Sequence, residues 1–311
     1  MPVFRFLAVH GRWVLIAGLA LGIASPDLAI AARATLPVFI FGLIFLAALR
    51  IGPAAAIDGG RGLPQTVGLV LLFQIVVPIA VWLATTTLGA PPLWVFTLTM
   101  LTASATVTGA PNLTILLGHR PVAALRLLVV GTLLLPLTVL AVFPLLPQVG
   151  EGGGVLAAAL NLLAIVLSAA GSAFLVRRFV WPELSADATT VVDGASSLLM
   201  AILVIALMSA FGPALVATPL LVLAVLALAV TVNFGMQTVA WAAMRAAGRA
   251  RDAVAVAMVS GNRNMALFLA ALPPAVMDPM LLFIGCYQLP MYLTPLLLGR
   301  LYGTPDATPS G

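Results

Sequence analysis

The stretch AVAVAMVSGNRNMALFLAAL, residues 253–272, decides the fold class of this chain. It is long enough to cross a bilayer as a helix, which needs about 20 predominantly apolar residues. Arg263 lies near its middle, where a guanidinium costs about 2.5–3.5 kcal/mol on insertion scales and stays charged at any ordinary pH. We therefore expect Arg263 to have a partner at membrane depth: backbone carbonyls, water or an anionic ligand.

The composition agrees with a membrane protein. The chain has 311 residues, of which 63% are hydrophobic and 7% are charged, whereas a soluble domain carries about 25% charged residues. All 14 basic residues are Arg, and they lie mostly in short loops, so the pI near 10.6 does not indicate nucleic-acid binding. The single cysteine, Cys286, excludes an intrachain disulfide and is expected to be buried and unreactive.

Apolar runs separated by Arg, Gly or Pro predict ten transmembrane helices. The predicted spans are 13–30, 36–50, 65–87, 92–117, 121–146, 154–176, 190–211, 216–244, 253–272 and 276–299. The N-terminus resembles a signal peptide, but Ala24-Ser25-Pro26 is a poor cleavage site, so we expect it to remain as the first span.

The distribution of arginines supports this count. With a cytoplasmic N-terminus, the inner segments hold Arg5, Arg12, Arg50, Arg61, Arg120, Arg177, Arg178, Arg245, Arg249, Arg251 and Arg300. The outer segments hold Arg33 together with Asp27, Glu151 and Asp278. This positive-inside bias depends on every span being counted, and it predicts an inner-membrane protein with both termini in the cytoplasm. Arg126 lies close enough to the inner end of span 5 to extend its side chain to that surface.

Three motif pairs recur at nearly one offset between the two halves of the chain. They are Pro26-Asp27-Leu28 with Pro182-Glu183-Leu184, Gly109-Ala110-Pro111-Asn112 with Gly261-Asn262-Arg263-Asn264, and Leu135-Pro136-Leu137-Thr138 with Leu289-Pro290-Met291-Tyr292-Leu293-Thr294. We interpret the chain as two repeats, about 11–147 and 150–302, within a single transmembrane domain covering residues 1–311. Because five spans per half is an odd number, the second repeat must be inverted, as in many transporters.

Span 4 combines polar side chains with residues that disturb a helix. It holds Thr102, Ser104, Thr106, Thr108, Gly109, Pro111, Asn112 and Thr114. Pro111 removes a helical hydrogen bond and Gly109 loosens the backbone, which within lipid is tolerated only in a protein interior or beside a wet cavity. The alternative interpretation is a Pro-kinked helix whose hydroxyls bond their own carbonyls.

Span 9 gives a sharper signal, because two Asn residues flank an Arg in an apolar helix. If spans 4 and 9 both break and cross, their half-helix ends attract anions at the N-termini and cations at the unwound carbonyls. The alternative is a structural Arg that holds carbonyl ends together. Further polar groups are Gln74, Thr132, Thr138, Asn161, Asn233, Gln237, Gln288 and Tyr292, for which interhelical hydrogen bonding is the plainer interpretation.

At these motifs the chain resembles the bile acid:sodium symporter family. The likeness runs from Trp13 to about Leu301 and is most specific in Thr108-Gly109-Ala110-Pro111-Asn112-Leu113-Thr114 and in Thr132-Leu133-Leu134-Leu135-Pro136-Leu137-Thr138. The resemblance implies an all-α polytopic membrane protein of ten helices in two five-helix inverted repeats. It also implies a panel of spans 1, 2, 6 and 7, and a core of spans 3–5 and 8–10 in which broken helices 4 and 9 cross.

The resemblance places the substrate and ion site at that crossing. The candidate residues are Arg263, Asn264, Asn262, Asn112, Thr108, Thr132, Gln74 and Gln288. Sodium-coupled members carry a Glu where this chain has Val259 and a Gln where it has Arg263, although Asn112 and Thr132 match their ion ligands. We expect no resident metal or cofactor, and we expect sodium coupling to be weak or absent, with Arg263 as a tethered cation. Direct binding of a substrate carboxylate by Arg263 is a second possibility.

The sequence therefore predicts a secondary transporter in the lipid bilayer. Its expected substrate is a small-molecule organic anion, either bile-acid-like or a small carboxylate. One alternative is efflux of a small oxyanion, as in a related ten-span family. Members of that family carry a cysteine in span 4, whereas Cys286 of this chain lies in span 10. Another is a membrane sensor or scaffold that keeps the fold without transporting. An enzyme is not expected, because the spans of the predicted core hold no deep Asp or Glu for acid–base catalysis.

Overall fold

A computed structural model describes residues 2–57, 62–150 and 152–303. Arg61 and Glu151, which are part of the predicted inner and outer charge distribution, lie outside the described residues, as does the side chain of Arg12. The helices of the first half are α1 (Pro2–Val9), α2 (Gly11–Ala24), α3 (Pro26–Arg33), α4 (Leu36–Ile57), α5 (Leu63–Leu71), α6 (Val77–Thr87), α7 (Pro92–Ala103), α8 (Ala110–Leu116) and α9 (Val122–Val142). Those of the second half are α10 (Gly152–Phe179), α11 (Ala186–Leu207), α12 (Phe211–Ala217), α13 (Pro219–Ala246), α14 (Ala250–Gly261), α15 (Ala266–Ala271), α16 (Pro274–Met277), α17 (Leu281–Leu297) and α18 (Gly299–Tyr302).

Among the described residues, six helical segments are long and apolar enough to cross a membrane, and eight if each of two bent helix pairs counts as one span. The bent pairs are α1 with α2 and α3 with α4, and α7 is a shorter apolar helix. The protein is therefore an all-α, multi-pass membrane protein. Spans 4 and 9 of the ten predicted are each divided, span 4 into α7 and α8 and span 9 into α14 and α15.

The described helices form two compact units. The first unit comprises Met1–Gly60, Leu146–Leu223 and Ala266–Gly285, and the second comprises Arg61–Leu145, Ala224–Met265 and Cys286–Gly311. The boundary passes through predicted span 9, so that α14 belongs to the second unit and α15 to the first.

Glycines allow close helix packing in the first unit. A Cβ at Gly18 of α2 would lie 2.8 Å from the carbonyl oxygen of Ala201 in α11, and one at Gly22 would lie 3.0 Å from that of Ile205. Because both residue numbers rise together along the contact, α2 and α11 run in the same direction. Near the ends of α4 and α10, Arg177 lies beside Gly52, whose φ of 74° interrupts α4. These two helices are therefore also parallel.

Two predicted boundaries are wrong. Predicted span 1 ends at Ala24 rather than at residue 30, because Ser25 precedes Pro26 and leaves the helical region, after which Pro26 starts α3. In span 4 the backbone is irregular at residues 104–109, before the Gly109–Asn112 motif. Pro111 therefore does not remove a hydrogen bond from a continuous helix; it lies in the first turn of α8, where no intrahelical N–H is needed.

Candidate functional site

The two helix breaks of the second unit pair with each other through their backbones. Thr106 and Arg263 form an isolated antiparallel bridge. The Val107 N–H donates to the Asn262 carbonyl at 2.9 Å, and the Asn264 N–H donates to the Ala105 carbonyl at 2.8 Å. These bonds satisfy unwound backbone groups that hydrocarbon would leave unpaired. We call this pairing of residues 104–108 with residues 262–264 the crossing.

The guanidinium of Arg263 caps a helix end at the crossing. Its Nη2 donates to the carbonyl of Thr102 in the last turn of α7, and to the carbonyl of Phe73 at 3.1 Å. The backbone leaves the helical region at Ser104, so the Thr102 carbonyl cannot take a helical partner four residues on. A cation at this position also meets the negative end of the α7 dipole.

The Phe73 carbonyl is available because of a defect in the neighbouring helix. Residues Leu72–Val76 form a π-helical turn in which the Val77 N–H donates to Leu72 rather than to Phe73. The next donor along the chain would be residue 78, which is a proline and has no N–H. Phe73 therefore presents a carbonyl that its own helix does not use, and Arg263 takes it. A π turn at a functional position is a recurrent feature of helices.

These contacts explain how the charge is tolerated. Arg263 is only 4% exposed, and burying an unpaired charge costs several kcal/mol. Each hydrogen bond from a charged donor returns about 1.5–3 kcal/mol, and the α7 dipole adds to this. Within the described part of the chain the Nε atom has no hydrogen-bond partner. The guanidinium thus donates its hydrogen bonds through Nη2 to backbone carbonyls of the protein itself.

A second polar cluster holds the end of α14. The Gly261 carbonyl accepts hydrogen bonds from Asn233 Nδ2 at 2.7 Å and from the Tyr287 hydroxyl. Gln237 Nε2 donates to Asn233 Oδ1 at 2.6 Å and to Thr294 Oγ1 at 3.0 Å. Asn233 and Gln237 therefore make the interhelical hydrogen bonds that the sequence predicted for them, and they hold the end of α14 two residues before Arg263.

Glycine is required at position 261 by the close approach of α13. A Cβ there would overlap the Gln237 side chain and lie 2.5 Å from the Asn233 carbonyl oxygen. Asn262 follows with φ −95° and ψ 84°, which ends the helix, and its Nδ2 donates back to the Met258 carbonyl at 2.9 Å. The sequence Gly-Asn thus stops α14 immediately before the crossing.

The structure brings some of the predicted site residues to the crossing and leaves others apart from it. Asn262, Arg263 and Asn264 form one side of it. By exposure, Arg263, Asn262, Gln74 and Gln288 are buried, Asn264, Thr108 and Thr132 are partly exposed, and Asn112 is exposed. Asn112 lies in the first turns of α8, beyond the paired residues. The accessible polar groups among the predicted residues are therefore uncharged.

Gln74 has a structural role in this conformation. Its Nε2 donates to the Gly131 carbonyl at 2.9 Å, and its Oε1 accepts from Thr138 Oγ1 at 2.8 Å. These bonds fix the π turn against α9, and the turn in turn presents Phe73 to Arg263. Gln74 thus holds the π turn in place through both ends of its amide.

The substitution Thr138→Val tests this role. We expect it to lower the free energy of unfolding by about 1–2 kcal/mol, because a buried amide oxygen loses its donor. The apparent KM for any transported substrate should change less than about twofold, since the Thr138 hydroxyl and the Gln74 amide are both buried within the protein. Thermal unfolding and uptake kinetics measure the two quantities. The matched control is Thr85→Val, whose hydroxyl donates to the Val81 and Trp82 carbonyls of its own helix. A large rise in KM for Thr138→Val would contradict a purely structural role.

The second intramembrane arginine lies at a helix start. A Cβ at Gly62, the residue before α5, would lie 3.1 Å from Arg126 Nη1. The side chain of Arg126 therefore extends to the N-terminal end of α5, which is the cytoplasmic end in the predicted topology. The extension of Arg126 to the cytoplasmic surface stays a prediction.

The residues at the crossing do not fit a sodium ion of the kind that the resemblance implies. Val259, which stands where sodium-coupled members carry a Glu, is an apolar side chain that is only 3% exposed. The carbonyls of Thr102 and Phe73, which are suitable oxygen ligands for a hard cation, are occupied by Arg263. Arg263 therefore takes the place at which these two carbonyls could bind sodium.

Several residues of the site were not predicted as such. Phe73 and Thr102 contribute only backbone carbonyls, and a carbonyl leaves no mark on the side-chain sequence. Pro78 was the available signal, because a proline inside a long apolar helix must release a carbonyl near it. Thr106 was recognised as a span 4 hydroxyl, but its bond to the Asn262 carbonyl at 3.1 Å depends on the crossing.

Compared with protein-family models and with curated proteins, the sequence matches none of them. The resemblance to the bile acid:sodium symporter family therefore stays an expectation.

Proposed function

We propose that the protein is a secondary transporter that moves an organic anion, either bile-acid-like or a small carboxylate, across a bacterial-type inner membrane by alternating access. The observation that carries the proposal is the pairing of two broken, apolar helices at Thr106 and Arg263. Irregular backbone at membrane depth occurs where it is buried in protein or lines a wet cavity, and discontinuous helices form transporter sites. In this proposal the protein has ten transmembrane spans, divided into a panel and a core, and both of its termini lie in the cytoplasm.

The hydrogen bonds of the crossing support the inverted repeat. Val107 donates to Asn262, and Asn264 donates to Ala105. Each bond joins the helix break of one half of the chain to the helix break of the other half. One break per half, paired at a crossing, is what two inverted repeats are expected to produce.

The parallel helix pairs support the same scheme. In the ten-span topology, α2 and α11 belong to spans 1 and 7, which cross in the same direction. The pair α4 and α10 belongs to spans 2 and 6, which also cross in the same direction. Exchanging the repeats converts span 1 into span 6 and span 7 into span 2, so the two pairs are equivalent.

Arg263 supplies the charge that a bound cation supplies in a sodium-coupled carrier. Its guanidinium neutralises the carbonyl end of α7 without an ion from solution. Transport should therefore proceed at a rate that does not depend on sodium. Because the guanidinium contacts protein carbonyls in this conformation, substrate recognition falls to the accessible neutral groups and not to Nη2.

We expect the purified protein in proteoliposomes to take up an anionic probe equally well in sodium and in N-methylglucamine. Labelled taurocholate, pyruvate and succinate represent the two proposed substrate classes, and protein-free liposomes are the control. The initial rates in the two cations should agree within about twofold, since one tenfold difference would already correspond to about 1.4 kcal/mol of coupling.

Two results would contradict the proposal in different ways. Uptake that is strictly sodium-dependent would overturn the role of Arg263 as a tethered cation. The absence of uptake for every probe, together with no thermal shift on adding any of them, would favour a sensor or scaffold.

A further inference from the structure

The two halves of predicted span 9 pack within different units. The segment Ala266–Met280, which comprises α15, α16 and the turn Asp278–Met280, belongs to the first unit, whereas α14 belongs to the second. In the first unit α15 packs against α4 and α10. Residues 262–265 between the two halves are not helical, which is typical of a hinge.

Two polar contacts hold this segment in the first unit. Asn161 of α10 donates through Nδ2 to the Ala271 carbonyl at the end of α15, at 3.1 Å. Arg33, at the end of α3, forms an ion pair with Asp278. They join the segment to α10, which contains predicted span 6, and to the end of α3, which lies between predicted spans 1 and 2.

The predicted topology puts these contacts on the outer side. The inner segments collect the arginines, while Arg33 and Asp278 belong to the outer segments. Span 9 runs outward in this topology, so α15 is its outer half. The segment Ala266–Met280 therefore joins the outer ends of panel helices to a span that begins in the core.

We propose that the segment Ala266–Met280 is an outer gate, closed here by the Arg33–Asp278 ion pair and the Asn161–Ala271 hydrogen bond. This inference rests on the proposed transport function. Opening to the outside requires both contacts to separate while the crossing at Thr106 and Arg263 stays intact, and Met265, which lies between the paired residues and α15, takes up the change in backbone direction.

The strength of the ion pair suits such a gate. The side chains of Arg33 and Asp278 are 33% and 44% exposed, and a partly exposed ion pair adds little to stability. It can therefore break in each transport cycle without unfolding the neighbouring helices. A deeply buried pair would resist opening more strongly, because separation would leave each charge uncompensated.

Cross-linking tests whether the contact must open. Arg33→Cys and Asp278→Cys are combined in a Cys286→Ser background, and the pair is joined with a short reversible thiol cross-linker. We expect taurocholate, pyruvate or succinate uptake to fall at least tenfold on cross-linking and to recover on reduction. The matched control joins Arg50→Cys to Asp193→Cys, which replace an ion pair of similar exposure between α4 and α11, with N–O distance 2.9 Å. This pair lies wholly among panel helices, so its cross-link should leave uptake unchanged.

A second measurement does not depend on transport. Ala271→Cys places a thiol at a position that is 3% exposed when the gate is closed. In the same Cys286→Ser background, a membrane-impermeant maleimide added from outside should label it at least threefold faster when Asp278→Asn removes the ion pair. Asp193→Asn, which breaks the control pair, should leave the labelling rate unchanged.

The outcomes separate this inference from the proposed function. Faster labelling with Asp278→Asn supports the gate even if none of the probes is transported. Uptake that continues after Arg33 and Asp278 are cross-linked would overturn it, because the segment would then move with the panel helices throughout the cycle. Equal labelling rates in both Asn variants would overturn it as well.

Discussion

Replacing Arg263 with Gln is expected to lower uptake at least tenfold and to make the remaining activity and stability depend on sodium. The substitution leaves the Thr102 and Phe73 carbonyls without their donor. Two unpaired buried carbonyls cost about 1–3 kcal/mol each, and relief from burying the guanidinium offsets part of this. We therefore expect a net loss of about 2 kcal/mol in the free energy of unfolding.

Sodium is expected to substitute for the missing charge in this variant. The two carbonyl oxygens are ligands that a hard cation accepts, so sodium chloride should raise the unfolding temperature of Arg263→Gln more than N-methylglucamine chloride does. The wild-type protein should respond equally to both salts, because its own guanidinium occupies the carbonyls.

The control for Arg263→Gln is Arg263→Lys. Lysine keeps a permanent charge but cannot reproduce the planar fork of the guanidinium, so it should lose stability and still remain indifferent to sodium. Full activity of Arg263→Gln without sodium would contradict the tethered-cation role, and so would a sodium response in Arg263→Lys equal to that of Arg263→Gln.

The second large effect is expected for Gly261→Ala. The added methyl group would meet the Gln237 side chain and the backbone carbonyl of Asn233. A side chain can rotate away, but a backbone oxygen of α13 can move only with its helix. Overpacking of this kind typically costs about 1–3 kcal/mol, and we expect the upper end of that range. Uptake should fall as well, because a shift of α14 would carry Arg263 away from the Thr102 and Phe73 carbonyls.

Gly235→Ala is the matched control for this prediction. Gly235 also lies in a helix of the second unit, and a Cβ there would meet no atom within 4 Å. Alanine is favoured over glycine in a helix by about 1 kcal/mol, so this variant should be as stable as the wild type or more so. Thermal unfolding in detergent compares the two, and equal stability of Gly261→Ala and Gly235→Ala would exclude the close packing described.

The sequence predicted the features of span 9 that depend on side chains. Gly261 and Asn262 end a helix through their own conformational preferences, and a charge in an apolar run demands a partner. It did not identify the partners of Arg263, since these are carbonyls released by a π turn and by a helix end. Both depend on tertiary packing, which a linear pattern of side chains does not record.

Span 4 illustrates the same limit. Gly109 and Pro111 placed the break slightly too late, because they are the residues that disturb helices in isolation. The extended residues before them include Ala105, Thr106 and Val107, none of which breaks a helix strongly. Their conformation comes from pairing with residues 262–264, so the location of the break is a property of both halves of the chain together.

The Phe73 carbonyl, which its own helix in predicted span 3 does not use, has a consequence for how this sequence can evolve. Pro78 and the π turn leave the Phe73 carbonyl open, and Arg263 is the group that closes it. A variant without Pro78 would offer the Arg263 guanidinium one carbonyl acceptor fewer. A variant without Arg263 would leave the Phe73 carbonyl of the π turn without its donor. These two positions, far apart in the gene, are therefore expected to change together or not at all.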